Sequence, residues 1–227
     1  MKKIIILTLF VLSQLTFSAS AELGVNIGVS AQVGSAEATG SESENSSVTN
    51  SETEELLFGT GSFFIEKTLG FLPGPLARLT LGYDYVPHDI GTGTATNTRQ
   101  DLGAKANAGK REVKENNVSA NFEDLNTLYL TFNLTDWLYL KAGTVSVDAI
   151  STESLQTGSA YGNASLDGEV YGFGISQSTD NGIFFRAEYN VMDIDGVTLT
   201  STTNSDNTVT LDGIDTESVR ASIGKSF

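Results

Sequence analysis

Segment after segment of this chain alternates apolar and polar residues with a period of two, and that periodicity restricts the fold more than any other feature. In the last ten residues Val219, Ala221, Ile223 and Phe227 share one face of an extended strand. Ser218, Arg220, Ser222, Gly224 and Ser226 share the other. Residues 22–33 repeat the pattern, with Leu23, Val25, Ile27, Val29, Ala31 and Val33 opposed to Asn26, Gly28, Ser30 and Gln32. Helical spacing does not fit, and the glycines argue further against helix. Further alternating stretches fall at 55–67, 77–86, 127–134, 137–149, 168–177 and from 183 past Asp195, so about eight strands are expected in all.

The first residues carry a different signal. Lys2 and Lys3 precede an apolar stretch over 4–17, and Ala19-Ser20-Ala21 offers small residues where a signal peptidase cuts. Residues 1–21 therefore read as a cleaved secretory leader with Ala19 and Ala21 at the cleavage site, and 22–227 as one domain. No later segment approaches the roughly twenty apolar residues of a spanning helix. If this domain enters a membrane it does so as a closed barrel, since only helices and barrels satisfy every backbone group without water.

Composition removes several classes of function. With 28 acidic and 13 basic residues and a net charge of −15, the chain has no basic surface for nucleic acid. There is no cysteine, so disulfides and thiolate metal sites are excluded. No glycine-rich turn opens a helix to hold phosphate. Asp193-Ile194-Asp195-Gly196 lacks the remaining ligands of a calcium loop, and Glu52, Glu54 and Glu55 read as a solvated cluster. No cofactor or metal is expected. The single histidine, His88, follows Pro87 with no serine near it in sequence, so a hydrolase is the weakest of the readings and no enzyme activity is expected.

The connections alternate in length. Residues 34–54, 87–118 and 151–165 read as long polar loops, whereas Leu72-Pro73-Gly74-Pro75, Thr135-Asp136 and Thr179-Asp180-Asn181-Gly182 are short turns. The leader, the even strand number, the long–short rhythm and the terminal Phe227 together resemble the small eight-stranded bacterial outer-membrane barrels of the OmpA/OmpX type. The likeness covers all of 22–227, with Lys225 standing where an apolar or aromatic residue is usual. It implies an all-β, up-and-down antiparallel transmembrane barrel in the outer membrane of a Gram-negative cell, with long loops outside and short turns in the periplasm. It also implies that Val219, Ala221, Ile223 and Phe227 form the signal read by the barrel-assembly machinery. Lipid and lipopolysaccharide would be the surroundings, and a monomer is expected.

On this reading the apolar faces meet lipid, and Tyr85, Phe132, Trp137, Tyr189 and Phe227 supply interfacial girdles. A soluble sandwich would show the same alternation, but the opposite faces carry glycine and charge. Glu66, Arg78, Asp84, Lys141, Arg186, Glu188 and Arg220 are then expected inside, as a water-bridged ionic network centred on Arg186, Glu188 and Arg220. Two roles follow: a structural, surface-displaying barrel with a plugged interior, or a narrow channel for small solutes that uses these charges. The facing of Phe63 against Phe64 stays open, and a bulge is expected where alternation fades before Ala149.

Overall fold

The computed structural model describes residues 23–44, 47–102, 111–155 and 160–227; the leader read over 1–21, with Ala19 and Ala21, lies outside them. Among the described residues there are nine strands: β1 (Val25–Glu44), β2 (Ser47–Thr68), β3 (Leu79–Tyr85), β4 (Ile90–Leu102), β5 (Arg111–Asn133), β6 (Leu138–Leu155), β7 (Ala164–Ser178), β8 (Ile183–Thr200) and β9 (Thr208–Ser226). Every pairing is antiparallel, in the order β3-β2-β1-β9-β8-β7-β6-β5-β4. A further ladder closes the ring: β3 pairs with β2 from Phe63↔Tyr85 to Thr68↔Thr80, and with β5 from Leu79↔Phe132 to Tyr85↔Asn126.

β3 and β4 occupy one wall position in succession, so nine strands make an eight-stranded barrel. The break between them falls at Pro87, which has no N–H for a ladder. The Val86 amide still bonds the Leu125 carbonyl at 2.9 Å, which ties the interrupted strand to β5. Beyond the break β4 pairs only with β5, and no ladder joins it to β2 among the described residues.

The three long connections differ from the sequence reading. Residues 34–54 and 87–118 are largely strand, with β1 and β2 only two residues apart, whereas of 151–165 only the first five residues, at the end of β6, and the last two, at the start of β7, are strand. These stretches are Ser-, Thr- and Asn-rich. With water on both faces they need no apolar alternation, and so they carry no period-two signal. Twenty residues of β1 at ordinary rise and tilt span about 50 Å, against about 25 Å for a barrel's apolar band.

At the other end the turns are tight. Gly182 takes φ +80° in the 179–182 turn, where Thr179 N–H bonds Ile183 O at 2.8 Å. Pro73 and Pro75 set a short 3-10 segment, Gly74–Arg78. That segment delays the start of β3 to Leu79, two residues later than the alternation suggested, which leaves Arg78 off the wall. Arg78 is exposed and donates to Leu134 O of the next turn at 3.2 Å. Its expected place in the interior is therefore corrected.

The bulge expected in 137–149 is also not there: β6 pairs with β7 in unbroken register from Leu138↔Ile175 to Ala149↔Ala164. A register shift lies instead on β5, between Glu123 and Asn126, with Asp124 at φ 53°. The fading alternation has another cause. Ala142, Thr144, Ser146 and Asp148 continue the outward face of β6 while Val145 and Val147 are buried inside. The phase is kept and the polarity reverses.

That reversal divides the molecule. Nearer the tight turns, Val29, Phe63, Ile65, Leu81, Leu128, Leu130, Leu140, Phe173, Ile175, Phe185, Val219 and Ile223 point outward and are exposed. Phe64 is the inward partner of the Phe63–Phe64 pair, at 3% exposure. Farther out, Asp167, Glu169, Asp193, Asp195, Asp215 and Glu217 hold the outward positions. There the bore is packed with Val86, Leu125, Val145, Val147, Leu166, Val170, Met192, Ile194 and Ile214.

Candidate functional site: the bore of the barrel

Four inward aromatic side chains shape the charged half of the bore, and each lies against a glycine paired with it in register: Phe64 on Gly28, Tyr129 on Gly82, Tyr139 on Gly174 and Phe184 on Gly224. A β-carbon on any of these glycines would overlap the ring. The glycine leaves the recess that lets a large ring fold flat against the wall of a narrow barrel.

Within this frame Glu66 is bonded on every side. Arg186 meets it as a two-pronged fork, Nη1 to Oε1 at 2.5 Å and Nη2 to Oε2 at 2.8 Å. Tyr129 hydroxyl donates to Oε1 at 2.8 Å and Asn26 Nδ2 to Oε2 at 3.0 Å. The guanidinium sits 4.5 Å from the Phe184 ring centre and 5.5 Å from that of Tyr139. A buried carboxylate is tolerable when its lone pairs are filled and its charge is matched, and both hold here.

A second group lies beside the first. Arg220 Nη2 bonds Asp84 Oδ2, and Ser62 Oγ donates to the same oxygen at 2.9 Å. Glu188 accepts from Tyr139 hydroxyl at 2.7 Å on Oε1, and its Oε2 is 3.5 Å from both Lys141 Nζ and Arg220 Nε. Lys141 Nζ also lies 4.5 Å from the Tyr129 ring centre. Three carboxylates thus face three cations, so the interior has no net charge.

Six of the seven expected interior residues meet here, and Arg78 does not. The expected centre shifts as well: Glu188 and Arg220 are cross-strand partners on β8 and β9, but Arg186 reaches across the bore to Glu66 on β2. The bonds are direct contacts between side chains. Sequence reasoning passed over Tyr129, Tyr139, Asn26 and Ser62. The signal for the two tyrosines was the inward glycine opposite each, Gly82 and Gly174.

His88 has a different job. Its Nε2 accepts from the Gly61 amide at 3.0 Å and its Nδ1 lies 3.2 Å from Asp89 O, so both ring nitrogens face backbone. The ring caps an amide of β2 just past the last β2–β3 pair. Among the described residues no group of three or more His, Cys, Asp or Glu side chains is placed to hold a metal ion.

The solvent around each half follows from its side chains. A barrel that exposes leucine and phenylalanine while enclosing arginine and glutamate is stable only in hydrocarbon. The chain is an eight-stranded barrel built to span a membrane. Its outer rim is marked by tyrosines that reach to carboxylates beyond the apolar band: Tyr85 hydroxyl bonds Asp124 at 2.8 Å, Tyr171 bonds Glu169, and Tyr189 faces Glu217. At the tight-turn rim lie exposed Trp137 and Phe71, and Lys225, whose ammonium donates to Asn181 O at 2.6 Å. Val219, Ala221 and Ile223 face lipid, and the Phe227 amide bonds Val25 O at 2.9 Å.

No protein-family model matches the chain, and no curated protein matches it in sequence. Among solved structures it is similar to the outer-membrane protein OprG of Pseudomonas aeruginosa, at 9% identity over 92% of this chain and 98% of that one, with a TM-score of 0.42. It is also similar to Ail, the attachment invasion locus protein of Yersinia pestis (10% identity, 89% and 98% covered, TM-score 0.36), and to the outer-membrane protease OmpT of Escherichia coli (8%, 93% and 99%, TM-score 0.40).

Proposed function

We propose that this protein is a structural, surface-displaying barrel, whose membrane half is a sealed anchor for the acidic hairpins that stand outside the cell. One observation carries the reading: the bore is filled twice in series. The neutral ion-pair group occupies it within the membrane, and the apolar group around Val145, Val170, Met192 and Ile214 occupies it above. An eight-stranded barrel is only wide enough for side chains, and here they fill it. The geometry around His88 supports a structural role without catalysis. The lipid-facing Val219, Ala221 and Ile223, with Phe227, are proposed as the signal for the assembly machinery, following removal of residues 1–21. The membrane cylinder is complete within one chain, which supports a protomer that needs no partner to insert.

Planar-bilayer recording tests the sealed bore. Wild type is expected to show no steady open state, and Arg186→Ala likewise, because the apolar group still blocks the path. A steady conductance in either would favour the narrow channel instead. Deleting residues 95–115 is expected to leave heat-modifiable migration on a gel intact, since the anchor does not use that hairpin; loss of the shift would count against the division of labour.

A further inference from the structure

The tight-turn end of the barrel has two unlike sides. On the side of β7, β8 and β9 the outward apolar face stops at Ile175 and Phe185, and exposed Gln177 and the polar turn Thr179-Asp180-Asn181-Gly182 follow. On the side of β1, β2, β3, β5 and β6 the apolar face runs on past the wall into the turns. The β2–β3 turn carries no charge from Leu69 to Ala77, and Phe71 and Leu76 within it are 75% and 51% exposed. Leu134 and Trp137 of the neighbouring turn are exposed too, and so is Leu23 ahead of β1. Together they form a lip below Leu81, Leu130 and Leu140, which face lipid on the same side of the wall.

The lip is held in shape. Pro73 and Pro75 fix the backbone around the Gly74–Arg78 segment, Leu69 N–H bonds Leu79 O at 2.8 Å, and Leu72 N–H bonds Leu69 O at 2.9 Å. Thr135 Oγ1 accepts from the Leu138 amide at 2.9 Å, which sets the corner at Trp137. Two cations lie within the lip, each tethered to a carbonyl of a lip leucine. Arg78 Nη1 donates to Leu134 O at 3.2 Å, and Lys67 Nζ donates to Leu23 O. Both residues stay exposed, and a guanidinium or ammonium has further N–H groups for a second acceptor. Asp136 is the one acidic residue of the two turns.

Fixed, exposed apolar side chains beside tethered cations do not suit water. Acyl chains accept the first and phosphates the second, and the two meet in the headgroup region of a bilayer leaflet. We propose that this lip is a binding surface for anionic phospholipid, with Phe71, Leu76 and Trp137 set among the acyl chains and Arg78 and Lys67 on the phosphate. The inference rests on the anchor reading and draws its lipid from the leaflet at the tight turns. The surface is continuous with the lipid-facing wall. Its charge is opposite to that of Asp167, Glu169, Asp193, Asp195, Asp215 and Glu217 at the far boundary, so the two leaflets meet unlike rims.

Trp137 is the single tryptophan of the chain, so the wild type reports on the lip directly. The test folds the full chain into phosphatidylcholine vesicles that hold a minor share of a brominated lipid, with the gel shift as the control for folding. Quenching of Trp137 is expected to show about fivefold tighter binding of brominated phosphatidylglycerol than of brominated phosphatidylcholine. Arg78→Gln with Lys67→Gln is expected to bring the two lipids level. Depth is read from a pair of variants. In Phe71→Trp with Trp137→Phe, bromines on the upper acyl carbons are expected to quench the fluorescence. In Asn181→Trp with Trp137→Phe they are not, and aqueous iodide quenches instead. Equal binding of both lipids by the wild type overturns the proposal, as does a preference that survives the two cation substitutions. A Phe71→Trp chain open to iodide overturns it too, and would mean that the lip serves a protein partner. If a variant fails the gel shift, the wild-type comparison still decides. A conducting bore would instead strike the sealed anchor and leave the lipid preference standing.

Discussion

The membrane half and the outer half of this barrel are built from the same strands with opposite chemistry. In the membrane half leucine and phenylalanine face out and six charges face in; in the outer half aspartate and glutamate face out and valine, methionine and isoleucine face in. β6 passes through both without a change of phase: Leu138 and Leu140 are outward at one end and Ser146 and Asp148 at the other. A strand's polarity pattern therefore reports which solvent lies on each side. The outer half obeys the rule of soluble proteins, with an apolar core under a charged surface, and the membrane half obeys its inverse.

The contrast can be broken most forcefully from the charged side. Glu66→Ala leaves the Arg186 guanidinium buried without its fork, and should cost about 3–5 kcal/mol in urea unfolding of the detergent-folded protein. Next, Ile194→Ala opens a cavity in the outer core at a cost of about 2–3 kcal/mol, and should speed proteolysis of the hairpins while the gel shift persists. If that substitution abolished the shift, the two halves would be one cooperative unit. Gly82→Ala forces the Tyr129 ring off its recess and away from Glu66, an expected loss of about 1–3 kcal/mol in the same unfolding measurement. Smallest is Tyr85→Phe, which removes one exposed hydrogen bond to Asp124 at the rim. It should lower stability by about 0.5 kcal/mol in the same unfolding measurement.

Much of the membrane half was legible in sequence, because lipid on one side and ions on the other make alternation strong. Glu66, Asp84, Lys141, Arg186, Glu188 and Arg220 could each be placed by parity alone. Which pairs form could not be read, because Arg186 finds Glu66 across the bore and parity carries no information about the opposite wall. Arg78 failed because the prolines at 73 and 75 fix a 3-10 segment that takes it out of the strand. The outer half was read as loops, since Ser-Thr-Glu stretches with water on both faces show no contrast between odd and even positions. Ladder bonds between backbones hold them extended all the same.

The cylinder is fastened on one side by a single short ladder. β3 meets β2 through six residue pairs, from Phe63↔Tyr85 to Thr68↔Thr80, whereas its neighbours are stitched along much greater lengths. Heating is expected to part the wall first along that seam, so the brevity of one strand makes it behave as a door.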